Sequence, residues 1–365
     1  MKKALKIIAL LLVVIMAAGM LAACEKEEPA PSNTPGTNDS DNAPAASTGL
    51  EPLKGKDIYN DPIKISVISI STAGIVNRIY QMAFNDQAVR YPNVQIDYKD
   101  GEYDPSKQIT LIEEAITQGY DCIVLECMDP FALNDAVAKA ERAGIPVMST
   151  NAAEPQEVHS LHIAGADYSS GWAGGIELAK LSGNKGTAIV LDCPAMMKPG
   201  ARMGTGFEEY IQDHTDIEII EQYPIENWSS DNAQIAMREA LTKYGAGEIT
   251  MVYCASGDIA NGAMNAIDQA GRQGDGILIW GFMGYPMELD AIKEGKMAGT
   301  MFSDTYVQYS SLFYMCMNHI ATGLTSVTGG YTSTPMVEQP MFPVTKDNID
   351  DVMAVSRWYI EKPLS

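Results

Sequence analysis

Between residues 63 and 302 the chain alternates two patterns of apolar residues. Short apolar runs rich in Ile and Val, bounded by Gly, Asn and Asp, are typical of buried β-strands. The segments between them carry apolar residues at i, i+3 and i+4, as amphipathic helices do. The predicted strands span residues 63–70, 94–99, 121–126, 145–150, 161–165, 186–192, 217–223, 249–254, 276–282 and 297–302, and helical segments span 109–118, 132–144 and 232–245.

This alternation of strands and helices predicts an α/β fold. Successive strand and helix units build parallel sheets with helices on both faces. Ten strands are many for one open sheet, and about 300 residues are enough for two domains of ordinary size. We therefore expect two doubly wound parallel-sheet domains.

Residues 1–23 have the layout of a secretory signal peptide and are left out of the fold prediction. Three lysines within the first six residues precede a long apolar run, which is the order of regions in such a signal. The four residues from Leu21 to Cys24 resemble the lipobox of bacterial lipoproteins, in which the cysteine becomes the first mature residue and its thiol is lipidated. We expect Cys24 to anchor the protein to the extracytoplasmic face of the cell membrane. The alternative is an uncleaved membrane span.

Residues 24–60 are predicted to form a disordered tether that begins at the lipidated cysteine. The stretch is rich in Pro, Ser, Asn, Asp and Gly and has few large apolar side chains. It therefore buries too little apolar surface to offset the entropy lost on ordering. A flexible chain of this length spans roughly 30 to 36 Å. The folded part begins near residue 61 and is free to move over the membrane surface.

The charge and the cysteines exclude several classes of function. The formal charge is −22, and removing the three lysines of the signal leaves −25. Nucleic acids are bound through Lys and Arg, so we expect no nucleic-acid partner. Five cysteines follow Cys24, and four of them lie in apolar strand-like runs, which favours buried free thiols over a full set of disulfides. No Cys or His cluster has metal-ligand spacing, and we expect neither a metal nor another cofactor.

Five local stretches point to a known family when they are taken in order: AGIPVMSTN (143–151), ARMGTGF (201–207), ENWSSDNAQIAM (226–237), ASGDIANGAMNAI (255–267) and GTMFSD (299–304). With the order of the predicted elements, they make residues 63–345 resemble the type I periplasmic binding proteins of the ribose and galactose group, the receptors of ABC importers. The resemblance implies two lobes joined by three crossing strands, with a ligand in the cleft and hinge closure on binding. By analogy, the first lobe spans 61–166 and 304–338, and the second spans 167–303 and 339–365.

The chemistry of a sugar cleft selects the candidate side chains. Sugar hydroxyls both donate and accept hydrogen bonds, so Asn, Asp, Arg and Ser bind them while an aromatic ring covers the apolar face. Such groups lie where parallel strands end. The resemblance implies ligand contact for Asn151, Arg202, Trp228, Ser256, Asp258, Ser303 and Asp304. The structural alternatives are a turn or cap for Asn151, a salt bridge for Arg202, core packing for Trp228 and a helix cap for Asp258.

Departures from the family pattern leave the ligand open. The loop 69–80 lacks the aromatic pair and the acidic residue of the best-known sugar receptors, so Thr72 and Asn77 become its candidate polar contacts. Met283 stands where the family has an aspartate, and it is also a candidate ligand contact. The ligand is expected to be a small polyhydroxylated solute, most simply a sugar. A deoxy sugar, a polyol such as inositol and a nucleoside stay open as alternatives.

Other function classes lack their sequence features. No G-x-S-x-G elbow accompanies the serines of residues 168–175, so we expect a binding protein and not an enzyme. Repressors that share this two-lobe core carry an N-terminal helix-turn-helix and no signal. The sequence therefore predicts a monomeric, lipid-anchored receptor that delivers its solute to an ABC permease. A receptor that signals to a two-component or chemotaxis system is the alternative.

Overall fold

The computed structural model describes residues 55–356, except residues 74, 152 and 196. The signal peptide, Cys24, most of the tether and residues 357–365 of the expected second lobe lie outside the described residues. Within the described part, every helix is too short or too polar to span a bilayer.

The strands form two six-stranded sheets. The first sheet has the order β11-β5-β4-β3-β1-β2, and all of its strands are parallel. It contains β1 (Ile63–Ser69), β2 (Val94–Asp100), β3 (Cys122–Leu125), β4 (Val147–Thr150), β5 (Leu161–Gly165) and β11 (Met336–Gln339). The second sheet has the order β12-β10-β9-β8-β6-β7, in which only the edge strand β12 is antiparallel to its neighbour. It contains β6 (Lys185–Asp192), β7 (Asp216–Pro224), β8 (Met251–Cys254), β9 (Leu278–Met283), β10 (Gly299–Phe302) and β12 (Phe342–Thr345).

Ten α-helices are described around these sheets. They are α1 (Ile75–Ala88), α2 (Pro105–Thr117), α3 (Asn134–Arg142), α4 (Asp167–Ser182), α5 (Lys198–His214), α6 (Ser230–Lys243), α7 (Gly257–Gln269), α8 (Pro286–Glu294), α9 (Thr305–Thr322) and α10 (Ile349–Val355). Although α9 follows a strand of the second sheet, it packs on α1 of the first lobe. The rings of Tyr80 and Tyr309 stack there with centroids 3.9 Å apart. The predicted α/β fold of two parallel-sheet lobes is confirmed.

The hydrophobic pattern of the sequence does not predict two of the strands. β11 and β12 lie in a Pro-containing stretch, 335–345, without a continuous apolar run. Both are edge strands, where one side of the backbone needs no strand partner and proline is tolerated. Half-exposed edge strands carry little of the periodicity that marks the buried strands, so the pattern does not predict them.

The chain passes from one sheet to the other three times. The crossings follow β5, follow β10 and join β11 to β12. They pack closely: a Cβ added to Gly165 in the first crossing would collide with the side chain of Met341 in the third. The Gln339 Nε2 donates to the carbonyl of Asp304 at 3.0 Å, which ties the third crossing to the second.

Both sheets are buried between helices, and the described cysteines belong to this interior. Cys122, Cys127, Cys193, Cys254 and Cys316 are all buried and unpaired, as the apolar runs predict. Burial raises the pKa of the Cys127 thiol to about 12. The Cys127 thiol therefore remains protonated, and the buried cysteines pack as small apolar side chains.

One carboxylate joins three segments of the first lobe. Glu141, near the end of α3, is only 1% exposed. It accepts hydrogen bonds from the backbone N–H groups of Val147, Ser160 and Ser326 at 2.8, 2.8 and 2.7 Å. The hydroxyls of Ser160 and Ser326 donate to it as well. The side chain thus holds the starts of β4 and β5 and the loop after α9 together.

Two histidines are buried beside this region. The Ser149 Oγ lies 2.6 Å from His159 Nε2 and 2.6 Å from His162 Nδ1. Burial lowers the pKa of each imidazole to about 4. Both rings are therefore neutral at physiological pH and serve as hydrogen-bonding groups of the core.

The second lobe contains a fully buried carboxyl group. Glu288 in α8 accepts a hydrogen bond from the Thr300 hydroxyl at 2.7 Å and from the Tyr285 N–H at 2.8 Å. Burial raises the pKa of Glu288 to about 8, although these hydrogen bonds oppose the shift. The carboxyl group is mostly protonated at neutral pH.

Candidate functional site

A cavity of about 310 Å³ lies between the two lobes. Its walls come from residues just beyond the carboxyl ends of strands in both sheets, the positions at which open α/β sheets bind ligands. The volume is at the lower end of the range for small-molecule pockets. The first lobe contributes Ile70, Asn77, Tyr103, Glu126 and Asn151, and the second contributes Met203, Trp228, Asp258, Met283 and Tyr285.

Asn151 lines the cavity beyond the end of β4, as the resemblance implies. Its backbone has a positive φ of 55°, a conformation that asparagine tolerates better than most residues. Two neighbouring side chains of α9 hold its amide. Gln308 Nε2 donates to Asn151 Oδ1 at 2.7 Å, and Asn151 Nδ2 donates to the Tyr309 hydroxyl. The amide is therefore oriented before any ligand arrives.

Asn77 and Glu126 form a second polar group on the first-lobe wall. Asn77 Oδ1 accepts from the Ser69 hydroxyl at 2.5 Å, and its Nδ2 lies 3.5 Å from Glu126 Oε2. The same carboxylate oxygen accepts from the Ile70 N–H at 3.3 Å. Burial raises the pKa of Glu126 to about 7, against these hydrogen bonds. Gln108 Nε2 donates to the backbone carbonyl of Glu126 at 2.6 Å.

Asp167 enters the cavity from the first crossing. It is the first residue of α4 and is 6% exposed, and its side chain accepts no hydrogen bond from a described residue. Burial raises its pKa to about 7, while the positive charge of Arg202 opposes that shift. Arg202 itself lies on the exposed side of α5 and does not line the cavity.

The sequence position of Ser256 and Asp258 allows each of them to cap α7 or to line the cavity. Ser256 is the N-cap of α7, and its hydroxyl accepts the Ile259 N–H at 3.2 Å. Asp258, in the first turn, is therefore not needed as the cap. Both residues line the cavity, and burial raises the pKa of the Asp258 carboxyl.

Trp228 provides an aromatic wall on the second lobe. It ends a short 3₁₀ helix, Glu226–Trp228, with a positive φ of 54°. A Cβ added to Gly200 would lie 2.7 Å from the Trp228 indole, so a side chain at that position would displace the ring. Tyr103, also with positive φ, lines the cavity from the first lobe. Each lobe thus presents one half-buried or exposed aromatic ring.

Four of the predicted site residues do not line this cavity: Thr72, Arg202, Ser303 and Asp304. The Thr72 hydroxyl donates to Asp100 Oδ2 at 2.5 Å. Asp304 is the N-cap of α9 and accepts the Val307 N–H at 3.1 Å. Ser303 is fully buried in the second crossing. The structure brings together the other six candidates, Asn77, Asn151, Trp228, Ser256, Asp258 and Met283.

Several cavity residues are absent from the sequence prediction. Glu126 and Asp167 are the most informative of them, because each is a charged group directly beyond a buried strand or crossing. The rule that selects polar residues at strand ends applies to Glu126, which directly follows β3, so the sequence contained the information needed to predict it. Tyr103, Tyr285 and Gln308 depend on loop and helix positions for which strand ends give no signal.

Comparison with known proteins identifies the family of the chain. Residues 67–324 match the family described as periplasmic binding protein domain. The chain belongs to this family. A xylitol-binding protein of Mycolicibacterium smegmatis is 26% identical over 73% of this chain and 72% of its own length. A ribose import binding protein of Haemophilus influenzae is 25% identical over 55% of this chain and 67% of its own.

A solved structure supports the fold of this periplasmic binding protein. The solute-binding protein of an ABC transporter from Bacillus halodurans, with bound myo-inositol, superposes with a TM-score of 0.70 at 22% identity. The match covers 80% of this chain and 98% of that structure. The relatives are named as binding proteins, so the prediction of a binding protein and not an enzyme agrees with the family.

Proposed function

We propose that this protein captures a small polyhydroxylated solute, a sugar or a polyol, in the cavity between its lobes and delivers it to an ABC permease. The observation that carries the proposal is the cavity itself, in which oriented amide and carboxyl groups from both lobes meet two aromatic rings. Each hydroxyl of a polyol needs a donor and an acceptor, and Asn, Asp and Glu side chains supply both. The relatives named for ribose import and xylitol binding favour this solute class.

Closure of the lobes is part of this proposal. The predicted boundaries assign 61–166 with 304–338 to one lobe and 167–303 with 339–365 to the other, and the membership of the two sheets supports them. Rotation about the three crossings would bring Tyr103 and Trp228 towards a bound solute from opposite sides. Burial of the solute between the rings would then exclude water from its hydroxyls.

The proposal is tested by a thermal-shift screen of residues 55–365 against pentoses, hexoses, polyols and nucleosides. A ligand present at about one hundred times its dissociation constant adds roughly 2.7 kcal/mol to the stability. The solute that the cavity binds should therefore raise the melting temperature by several degrees. If no compound of these classes stabilises the protein, the proposed solute class is refuted.

We predict that Trp228→Ala weakens solute binding about ten- to a hundredfold, because aromatic cover of a sugar face contributes roughly 1 to 3 kcal/mol. Isothermal titration calorimetry with the compound found in the screen measures the change. The matched control is Trp172→Ala, since Trp172 packs on Tyr210 and His214 away from the cavity and its loss should leave affinity unchanged. Equal affinity in wild type and Trp228→Ala, together with a lower melting temperature of the unliganded variant, would make Trp228 a packing residue.

We also propose that the protein is held at the membrane by a lipid on Cys24. Cys24→Ala should move the full-length protein from the membrane fraction to the soluble extracytoplasmic fraction, because the thiol is the site of acylation, while solute affinity stays the same. Fractionation with a carbonate wash measures this. A variant that remains in the membrane after the wash would show that the N-terminal apolar run is itself a membrane span.

A further inference from the structure

The charges that line the cavity are all negative. Glu126 comes from the first lobe, Asp167 from the first crossing and Asp258 from the second lobe. Among the described residues no lysine or arginine lines the same cavity. The three carboxyl groups therefore border the solute space, and within the described part of the chain no cationic side chain lines it.

Two of these carboxyl groups have no donor from the protein. Neither Asp167 nor Asp258 accepts a hydrogen bond from a described residue, although Asp167 is only 6% exposed. Buried carboxylates in folded proteins are almost always paired with a cation or with several hydrogen-bond donors. An unpartnered buried carboxylate that lines a binding cavity is a position that a ligand can complete.

The pKa values of these groups show that the protein compensates their burial only in part. Burial raises the pKa of Glu126 and of Asp167 to about 7, and it raises the pKa of Asp258 as well. Closing the lobes removes more water and makes an uncompensated cluster less favourable. A bound solute that supplies donors, positive charge or both would complete the compensation.

A neutral polyol and an aminated one differ in what they offer here. Hydroxyl groups supply donors but no charge, so they would leave the charge of an ionised Asp167 without a neutralising partner in the ligand. A protonated amine supplies three N–H donors together with a positive charge, and hydrogen bonds between charged groups are the stronger kind. Resting on the proposed function of the same cavity, we propose that the solute is an amino sugar or an aminated polyol whose ammonium group binds Asp167.

Calorimetry with matched pairs of compounds tests the proposal. The pairs are glucose and glucosamine, galactose and galactosamine, and myo-inositol and a mono-aminated inositol, all measured at one pH below the pKa of the amine. At least one amine should bind about ten- to a hundredfold more tightly than its parent, which is the range expected for a hydrogen bond to a charged group. Its N-acetyl derivative keeps the nitrogen but loses the charge, and it should lose this advantage.

The variant Asp167→Asn assigns the effect to one residue. It keeps the shape of the side chain and removes its charge, so the preference for the amine over its parent should fall to within a few-fold. The control is Asp213→Asn, an equal change of charge at an exposed position of α5 that does not line the cavity, and it should keep the full preference. Melting curves of the unliganded proteins verify that both variants fold.

Each other outcome overturns the proposal in a different way. If a neutral parent binds and no amine binds more tightly, Arg202 or bound protons compensate Asp167; the polyol receptor stands and the aminated ligand is refuted. If the preference for the amine persists in Asp167→Asn, the assignment to Asp167 is wrong. If no polyhydroxylated compound binds in either form, the proposed function falls together with this inference.

Discussion

Replacing Glu141 with alanine is expected to remove at least about 3 kcal/mol from the free energy of unfolding, because the change leaves three buried backbone N–H groups without an acceptor and each costs roughly 1 to 3 kcal/mol. The groups belong to Val147, Ser160 and Ser326, which lie far apart in sequence. A loss of this size is a large part of the roughly 5 to 15 kcal/mol that stabilises a typical protein. Urea unfolding followed by circular dichroism measures it.

The matched control for Glu141 is Glu113→Ala. Glu113 forms an exposed salt bridge with Lys139 at 2.8 Å, and such a pair contributes about 1 kcal/mol or less. The two variants remove the same side chain and the same charge, so their difference isolates the buried hydrogen bonds. Equal unfolding midpoints for the two variants would contradict the bridging role of Glu141.

The unliganded protein is expected to lose several kcal/mol of stability as the pH rises from about 6.5 to about 8. In the folded state the pKa values of Glu126 and Asp167 are raised to about 7, and that of Glu288 to about 8. In this window the folded protein holds protons that the unfolded chain has released, so a higher pH favours unfolding. A difference of one in pKa corresponds to about 1.4 kcal/mol.

Below this window two histidines counteract the carboxyl groups. The folded-state pKa values of His159 and His162 are lowered to about 4, so between about pH 4 and pH 6.5 the unfolded chain binds the histidine protons and the folded protein does not. This contribution increases stability as the pH rises, against the decrease from the carboxyl groups. Because two histidines offset only two of the three carboxyl groups, we expect a shallower loss of stability below about pH 6.5 and a steeper loss above it.

Melting temperatures across this pH range test the profile, and Glu288→Gln serves as its control. The amide has nearly the shape of the protonated carboxyl but does not titrate, so the variant should lose less stability than the wild type above about pH 7. A wild-type melting temperature that stays level or rises between pH 6.5 and pH 8 would show that the buried carboxyl groups are compensated in the folded state.

The sequence predicts the cavity only where a strand end decides the direction of the side chain. Asn151 and Asp258 follow buried strands, and both line the cavity. Thr72 and Asp304 satisfy the same rule, yet one donates to a neighbouring strand and the other caps a helix. Spacing along the chain does not distinguish these alternatives, because a short polar side chain at a strand end can turn towards solvent, backbone or ligand.

The cavity residues that the sequence did not predict depend on tertiary structure. Tyr103 reaches the site from a loop and has a positive φ. Nothing about a tyrosine in the sequence predicts this backbone conformation. Asp167 is the first residue of a helix. In the sequence, an aspartate there indicates only the usual favourable interaction of a negative charge with a helix N-terminus. Only the packing of the crossings around it shows that the carboxyl group is buried and without a donor.

The path of the chain through the two lobes has a consequence for its synthesis. A nascent chain complete to residue 300 contains β1 to β5 but not α9, whose Tyr309 stacks on Tyr80, nor β11, which pairs with β5. Its first lobe therefore exposes an apolar helix face and an unpaired strand edge until synthesis has passed β11. Such a chain stays incompletely folded while it is being made, and its first lobe completes its packing only when α9 and β11 have been added.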